Sequence, residues 1–468
     1  MNTMPSATEL VPTQSHPNEP DGTEPRERTL WLLGFLCVLI PALPTYLVPL
    51  GPLKSNGSPA RMIAVLLFVL AFLGFVLLRR TATTRTVSPG VILILLYFLL
   101  VLATYGVGLL HPGNALVESN KTRAIITLLA NVGVVLYILE RVETARQRAV
   151  MLGCLATGLS FACMVGLLQS STSLDLRFLF RPPGFVVNTE HLDLSERMGA
   201  KRVVGTSLHA IEFSVLAAVT VPLTLHFARH ASTRGVRWLA AVACVVALLA
   251  MPAAISRTGV LTLVAALLVY MWAFTIRQLA VAVVAGSAAV LGYIVAFPRT
   301  ASALWATILG SAEDESVLDR TADYAAVSQT FRDNPVFGLG LGASPPRAYR
   351  FLDNEWLQAA VQGGSVGLTA MILLAGGGIF GISAGLRRAT SPRERDQAYM
   401  MGSVLVGILA SSFTFDLFSY QQATLTFFIV FGLLWSGFTV PVPDWHGRRS
   451  DIATVGTPVR REMADGVP

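Results

Sequence analysis

The sequence predicts an all-α protein: a polytopic membrane helix bundle of about twelve transmembrane helices with a large extracytoplasmic loop. Three observations lead there. Only 13% of the 468 residues are charged, about half the roughly 25% of a soluble domain, while 53% are hydrophobic. Apolar runs of about 20 residues, long enough to cross a bilayer, recur along the chain. The Lys and Arg behind the formal net charge of +7 sit mostly in short loops between those runs, where they set orientation. That placement points to a lipid bilayer as partner and argues against nucleic acid.

Residues 1–29, rich in Pro, Thr, Glu and Asn, have no apolar core. A disordered cytoplasmic tail is expected there, not a cleavable signal peptide. The transmembrane domain is read at 30–440. Its first spans fall at 30–50, 62–78, 91–110, 124–139 and 149–168. A polar loop follows at 169–205. The next spans are 206–228, 238–255, 259–275 and 279–297. The largest loop, 298–355, precedes the last spans at 356–386, 401–415 and 423–440. The segment 356–386 is long for one crossing, so its first part is expected in the interface or along a cavity. Residues 441–468 read as a second disordered cytoplasmic tail. Cys37, Cys154, Cys163 and Cys244 all lie in apolar runs without metal-ligand spacing, which suggests small packing residues.

Loops carrying Arg79, Arg80, Arg141, Arg146, Arg229, Arg234, Arg387 and Arg388 alternate along the chain, as one membrane face requires. The positive-inside rule makes that face cytoplasmic and puts loops 169–205 and 298–355 outside. Those outer loops nevertheless hold Arg177, Arg181, Arg197, Arg202, Arg320, Arg332, Arg347 and Arg350, and Arg257 lies at an outer turn. Each taken alone could pair with Asp175, Glu190, Asp193 or the acids of 313–323 on a solvated face. Together they suggest an anion-binding surface at the outer boundary.

Arg257 is the sharpest single residue. It sits in MPAAISRTGVLTL between two apolar runs with almost no loop. Either it snorkels to lipid phosphates or it binds a diphosphate within the bundle, with Ser256 adding a hydroxyl. Arg202, His209 and Glu212 form a second candidate group. His209 and Glu212 are three residues apart and are expected on one helix face, with Glu212 about 10 Å along the helix from Thr206. Glu212 is either a substrate-facing acid or a structural tie between helices. In the largest loop, FGLGLG holds Gly338, Gly340 and Gly342 without dinucleotide spacing. Its glycines are read as permitting a tight backbone path. Asp353, ahead of Asn354 and Glu355, is either a helix N-cap or a general base, and Glu355 is a weaker candidate for the base. Asp416 is assigned to turn chemistry.

These pieces resemble the O-antigen ligase and O-antigen polymerase superfamily, polytopic membrane glycosyltransferases that use polyprenyl-diphosphate-linked glycans. The resemblance spans roughly 195–440. RVVGTSLHAIEFS, with Arg202, Gly205 and His209, is similar to the family's first outer motif, and ISRTG, with Arg257, to its arginine turn. DRTADYAAVSQTFRDNPVFGLGLG is similar to its R-x-x-x-aromatic helix and N-P-x-x-G-x-G loop. DNEWLQAAVQGGSVGL is similar to the segment that carries His-Asn and then L-x-x-x-x-x-x-G-x-x-G. One departure is clear: Asp353 stands where the family's ligases commonly have histidine.

The resemblance implies a transferase with a GT-C-like fold, and metal-independent transfer with no cofactor is expected. Arg257 and Arg320 would be the diphosphate ligands and Arg202 a third. His209, Glu212, Arg332 and Asn354 join the expected substrate-binding set, with Asp353 as base. The expected partners are a polyprenyl-diphosphate-linked glycan donor and a lipid or glycan acceptor, at a site outside the membrane. No Asp-x-Asp metal motif occurs in the outer loops. Two other readings remain. One is a multi-span transporter or flippase, for which Gly376-Gly377-Gly378 is the best hint of a broken helix. The other is a noncatalytic scaffold of a cell-envelope complex.

Overall fold

A computed structural model describes residues 24–49, 57–78, 86–172, 181–188, 196–197, 199–309 and 315–441. Both expected tails lie outside these residues, apart from the start of the first helix and the last residue of a short terminal strand pair. The described chain is helical almost throughout. Helices α1 to α5 are Glu24–Ala42, Pro59–Leu78, Pro89–Leu109, Ala115–Arg141 and Ala145–Thr172. Helices α6 to α9 are Ala210–His230, Arg234–Ala250, Arg257–Tyr270 and Ile276–Ala296. Then come α10 Pro298–Leu309, α11 Glu315–Asp333, α12 Glu355–Arg388, α13 Pro392–Ser411 and α14 Gln421–Trp435. Seven of these are long and apolar enough to cross a membrane, and α1, α2, α8 and α14 hold shorter apolar stretches. This is an all-α, multi-pass membrane protein. All four cysteines are free thiols.

α14 is the axle of the bundle: every residue from Gln421 to Trp435 is buried. Phe428 packs on Tyr97 of α3 and on Phe418, and the indole of Trp435 donates to the Gly377 carbonyl of α12. The periphery is the reverse. Ile276, Val283, Val284 and Val295 of α9 are exposed, as are Trp238 of α7 and Phe380 of α12. Apolar surface this extensive requires lipid around it.

Three expectations are corrected by the helices. The region 298–355 is not one loop, since α10 and α11 occupy much of it and, among its described residues, only 334–354 is irregular. The span expected at 124–139 is the C-terminal part of the longer helix α4, which begins at Ala115. The span expected from Thr206 begins at Ala210, so His209 is the N-cap and Glu212 lies in the first turn. The two are therefore not on one helix face.

The long segment α12 is broken, and at Gly364, not at Gly376-Gly377-Gly378, which stay helical. Gly364 has φ 57° and ψ −143°, a conformation open to glycine. The break frees the carbonyls of Val361 and Gln362. Leu339 and Gly340 N–H groups donate to them at 2.8 and 2.9 Å. The FGLGLG loop thus docks against the opened helix, with all three glycines at positive φ. A Cβ on Gly340 would come within 2.3 Å of the Gly108 Cα, so α3 and this loop touch backbone to backbone. Irregular backbone at membrane depth survives when protein satisfies it in this way.

Opposite ends of the bundle hold different chemistry. α6 carries His209 at its start and His226, Arg229 and His230 at its end, about 25 Å away at 1.5 Å per residue. At that far end Asp396 of α13 is buried. It accepts from Tyr270 Oη of α8 at 2.9 Å and from Arg229 and His226. A carboxylate only accepts, so Nδ1 of His226 carries the hydrogen. The ligand atoms of His226, His230 and Asp396 lie within 4.8 Å of one another, close enough to hold a metal ion. Arg229 already compensates the Asp396 charge, which makes the cluster a tie between α6, α8 and α13.

Candidate functional site

The chain between α7 and α8 turns within a few residues. A 3-10 turn at Met251–Ala254 leads into Ile255, the one non-glycine residue with positive φ among those described, at φ 46° and ψ 58°. A β-branched residue there is strained by about 1–3 kcal/mol. The kink reverses the chain and starts α8 with Ser256 as N-cap and Arg257 as its first residue. Arg202 is tied to the same turn: its Nε donates to the Ala254 carbonyl at 3.0 Å, and the N–H of the next residue, Val203, to that of Ala253 at 3.1 Å.

Arg202, His209, Ser256, Arg257, Thr258 and Asp353 line one cavity of about 730 Å³. Glu196, Thr414 and Tyr420 complete its polar wall. The first turn of α8 contains no acidic residue and begins with an arginine. A cation at the positive end of a helix dipole is the wrong sign for helix stability, by about 0.3–1 kcal/mol. Arg202 adds a second cation. The cavity therefore concentrates positive potential at a helix N-terminus, a setting that favours an oxyanion.

His209 caps α6. Its Nδ1 accepts from the Ile211 N–H at 3.2 Å, which leaves the ring hydrogen on Nε2. Burial, and then the charge of Arg202, push this imidazole down to about 4, so it is neutral at pH 7. Its ring lies against Tyr420, whose ring stacks on Phe415. Asp353 is exposed in the cavity and does not cap α12. That role belongs to Asn354, whose Oδ1 accepts from Trp356 and Leu357 N–H.

The remaining expected residues lie elsewhere. Glu212 is fully buried. Its carboxylate accepts from the N–H groups of Gln422, Ala423 and Leu208, so it ties α6 to the start of α14. Glu355 ties α12 to the turn that precedes α14, accepting from the Phe418 N–H at 2.7 Å. Between them Asp416 precedes a 3-10 turn at Leu417–Ser419, and burial raises its carboxyl to about 7. Arg332 is exposed and reaches Ser328, outside the cavity lining. Arg350 pairs with buried Asp323 at 2.8 Å, the bland role allowed for outer arginines. The backbone of Arg320 belongs to α11, while its side chain lies outside the described residues, as do Asp175, Glu190 and Asp193.

Sequence reasoning missed Tyr420, Thr414 and Glu196. None had a local signal, because a tyrosine or threonine beside an apolar run becomes a cavity wall only through the fold.

Residues 242–372 match the family model described as O-antigen ligase. That segment is similar to the O-antigen ligase family, which supports superfamily membership. The matched segment contains Arg257, Arg320, Arg332, Asp353 and Asn354 and falls inside the stretch expected from the motifs. The match and the apolar helices together support an O-antigen ligase-like membrane protein, and that family implies lipid-linked glycan substrates. No curated protein matches the chain.

Proposed function

We propose that the chain is an integral-membrane glycosyltransferase. It moves a glycan from a polyprenyl diphosphate to a hydroxyl of a lipid or saccharide acceptor on the outer face of the cell membrane. In this reading α1 to α9 and α12 to α14 make about twelve spans in a GT-C-like arrangement, with both termini cytoplasmic. The observation that carries the reading is the shared cavity: two arginines, one of them opening a helix, face a carboxylate across about 730 Å³.

The chemistry follows from that arrangement. The acceptor oxygen attacks the anomeric carbon while the bond from that carbon to the diphosphate oxygen breaks. The bonding pair leaves with the polyprenyl diphosphate, whose negative charge grows as it departs. Arg257 and Arg202 meet that charge with planar, bidentate donors, aided by the α8 N-terminus. Asp353 takes the acceptor's proton, the task of a general base. His209, neutral and held by its cap, positions the sugar or the acceptor. Arg320, a diphosphate ligand by family resemblance, would approach from α11.

Reconstitution tests this reading. Protein in proteoliposomes, supplied with a polyprenyl-diphosphate-linked glycan and an acceptor glycolipid, is expected to release polyprenyl diphosphate and lengthen the acceptor. Passage of the intact lipid-linked glycan across sealed vesicles, without bond cleavage, would mark a transporter instead.

A further inference from the structure

Tyr420 borders both the larger cavity and a smaller one of about 160 Å³. Its ring is held from two sides: it stacks on Phe415 with centroids 4.6 Å apart and lies tilted against His209 at 5.8 Å. Its backbone is satisfied, since its N–H donates to the Leu417 carbonyl and its carbonyl accepts from Thr424. Its hydroxyl makes no hydrogen bond among the described residues. The Nε2–H of His209 is in the same situation, because the ring's hydrogen bond among those residues is the cap through Nδ1. Two donors therefore stand side by side on one cavity wall without an acceptor from the protein, a cost that a ligand oxygen would remove.

Both donors are uncharged. Burial, and then the charge of Arg202, keep the imidazole neutral. Burial, and then the charges of Asp416, Glu212 and Asp353, push the Tyr420 phenol far above its usual range against the opposing pull of Arg202, so it stays an O–H donor. The same carboxylates decide what can bind there. A negative group brought to Tyr420 would meet Asp353, with Glu196 on the same cavity lining, in a partly desolvated space where like charges repel strongly. An uncharged sugar meets no such repulsion, and its ring and hydroxyl oxygens can accept from both donors.

We infer that Tyr420 and His209 form the acceptor-sugar subsite of the larger cavity, and that this subsite takes an uncharged sugar and rejects one bearing a carboxylate. The inference rests on the reading of that cavity as the transfer site and narrows its acceptor. The hydroxyl presented to Asp353 belongs to a neutral sugar, whether carried by a lipid or at the end of a glycan.

The full chain in nanodiscs of zwitterionic lipid tests this by titration with the methyl glycosides of glucose, galactose, mannose and N-acetylglucosamine, with methyl glucuronide and methyl galacturonide, and with inorganic pyrophosphate. At least one neutral glycoside is expected to bind about tenfold or more tightly than either uronate, a comparison that needs no variant. Tyr420→Phe keeps the ring contacts and loses only the hydroxyl. It is expected to weaken binding of that neutral glycoside about fivefold or more, with pyrophosphate affinity and melting temperature unchanged. Asp353→Asn is expected to narrow the gap between neutral glycoside and uronate several-fold, which a merely structural role for Tyr420 would not produce. The subsite is overturned if no neutral glycoside binds, if a uronate binds as tightly, if Tyr420→Phe leaves the affinity unchanged, or if Asp353→Asn leaves the gap untouched. Pyrophosphate binding that survives Arg257→Gln overturns the donor reading instead, so the two failures are distinguishable.

Discussion

His209 does two things at once: it caps α6 through Nδ1 and it lines the larger cavity. Both depend on a neutral ring. Its folded pKa, near 4, lies below the unfolded value of about 6.5. The folded state therefore binds fewer protons, and the stabilisation is complete above about pH 6.5 and is lost as pH falls toward 4. Asparagine caps well and does not titrate. His209→Asn is thus expected to flatten the fall in melting temperature between pH 6.5 and 4, measured on detergent-solubilised protein; an unchanged profile would remove His209 as its source. Arg257 and Asp353 were legible as single residues, because a charge pressed against an apolar run is conspicuous. Glu212 was equally conspicuous, yet its carboxylate serves backbone N–H groups of Leu208, Gln422 and Ala423, the last two some 210 positions away in sequence. No local pattern carries that information.

Helices were easier to read than their ends. Apolar length marks α3, α5 and α9, but the start of α6 depended on a cap, and the break in α12 on a contact with a distant loop. Gly364 and the triplet Gly376-Gly377-Gly378 look alike in sequence, and only the fold separates them. A Cβ on Gly364 would meet the Val336 carbonyl at 2.7 Å and the Gly338 nitrogen at 2.8 Å, in a backbone conformation that L-residues avoid. At Gly376 it would meet nothing within 4 Å. Gly364→Ala is expected to cost at least about 1–3 kcal/mol and to loosen the FGLGLG loop. Gly376→Ala is expected to be neutral or stabilising by about 0.5–1 kcal/mol. Thermal unfolding of the two variants side by side checks this. Equal effects would mean that the helix is not broken at Gly364.

Across the whole molecule, one end gathers helix starts, arginines and two cavities, while the opposite end is closed by the Asp396 tie. Composition and apolar runs conveyed the membrane class, and the motif order conveyed the superfamily. What stayed hidden was convergence: Arg202 and Arg257 are 55 positions apart in sequence yet share one cavity, because the strained turn at Ile255 holds both. Whether that cavity holds a departing diphosphate is the central claim, and Arg257→Lys addresses it most directly, because lysine keeps the charge and loses the bidentate fork. In reconstituted transfer from a polyprenyl-diphosphate-linked glycan, this variant is expected to lose about 100-fold or more in kcat, with its melting temperature unchanged. Transfer at the wild-type rate by the folded Arg257→Lys protein would contradict the account.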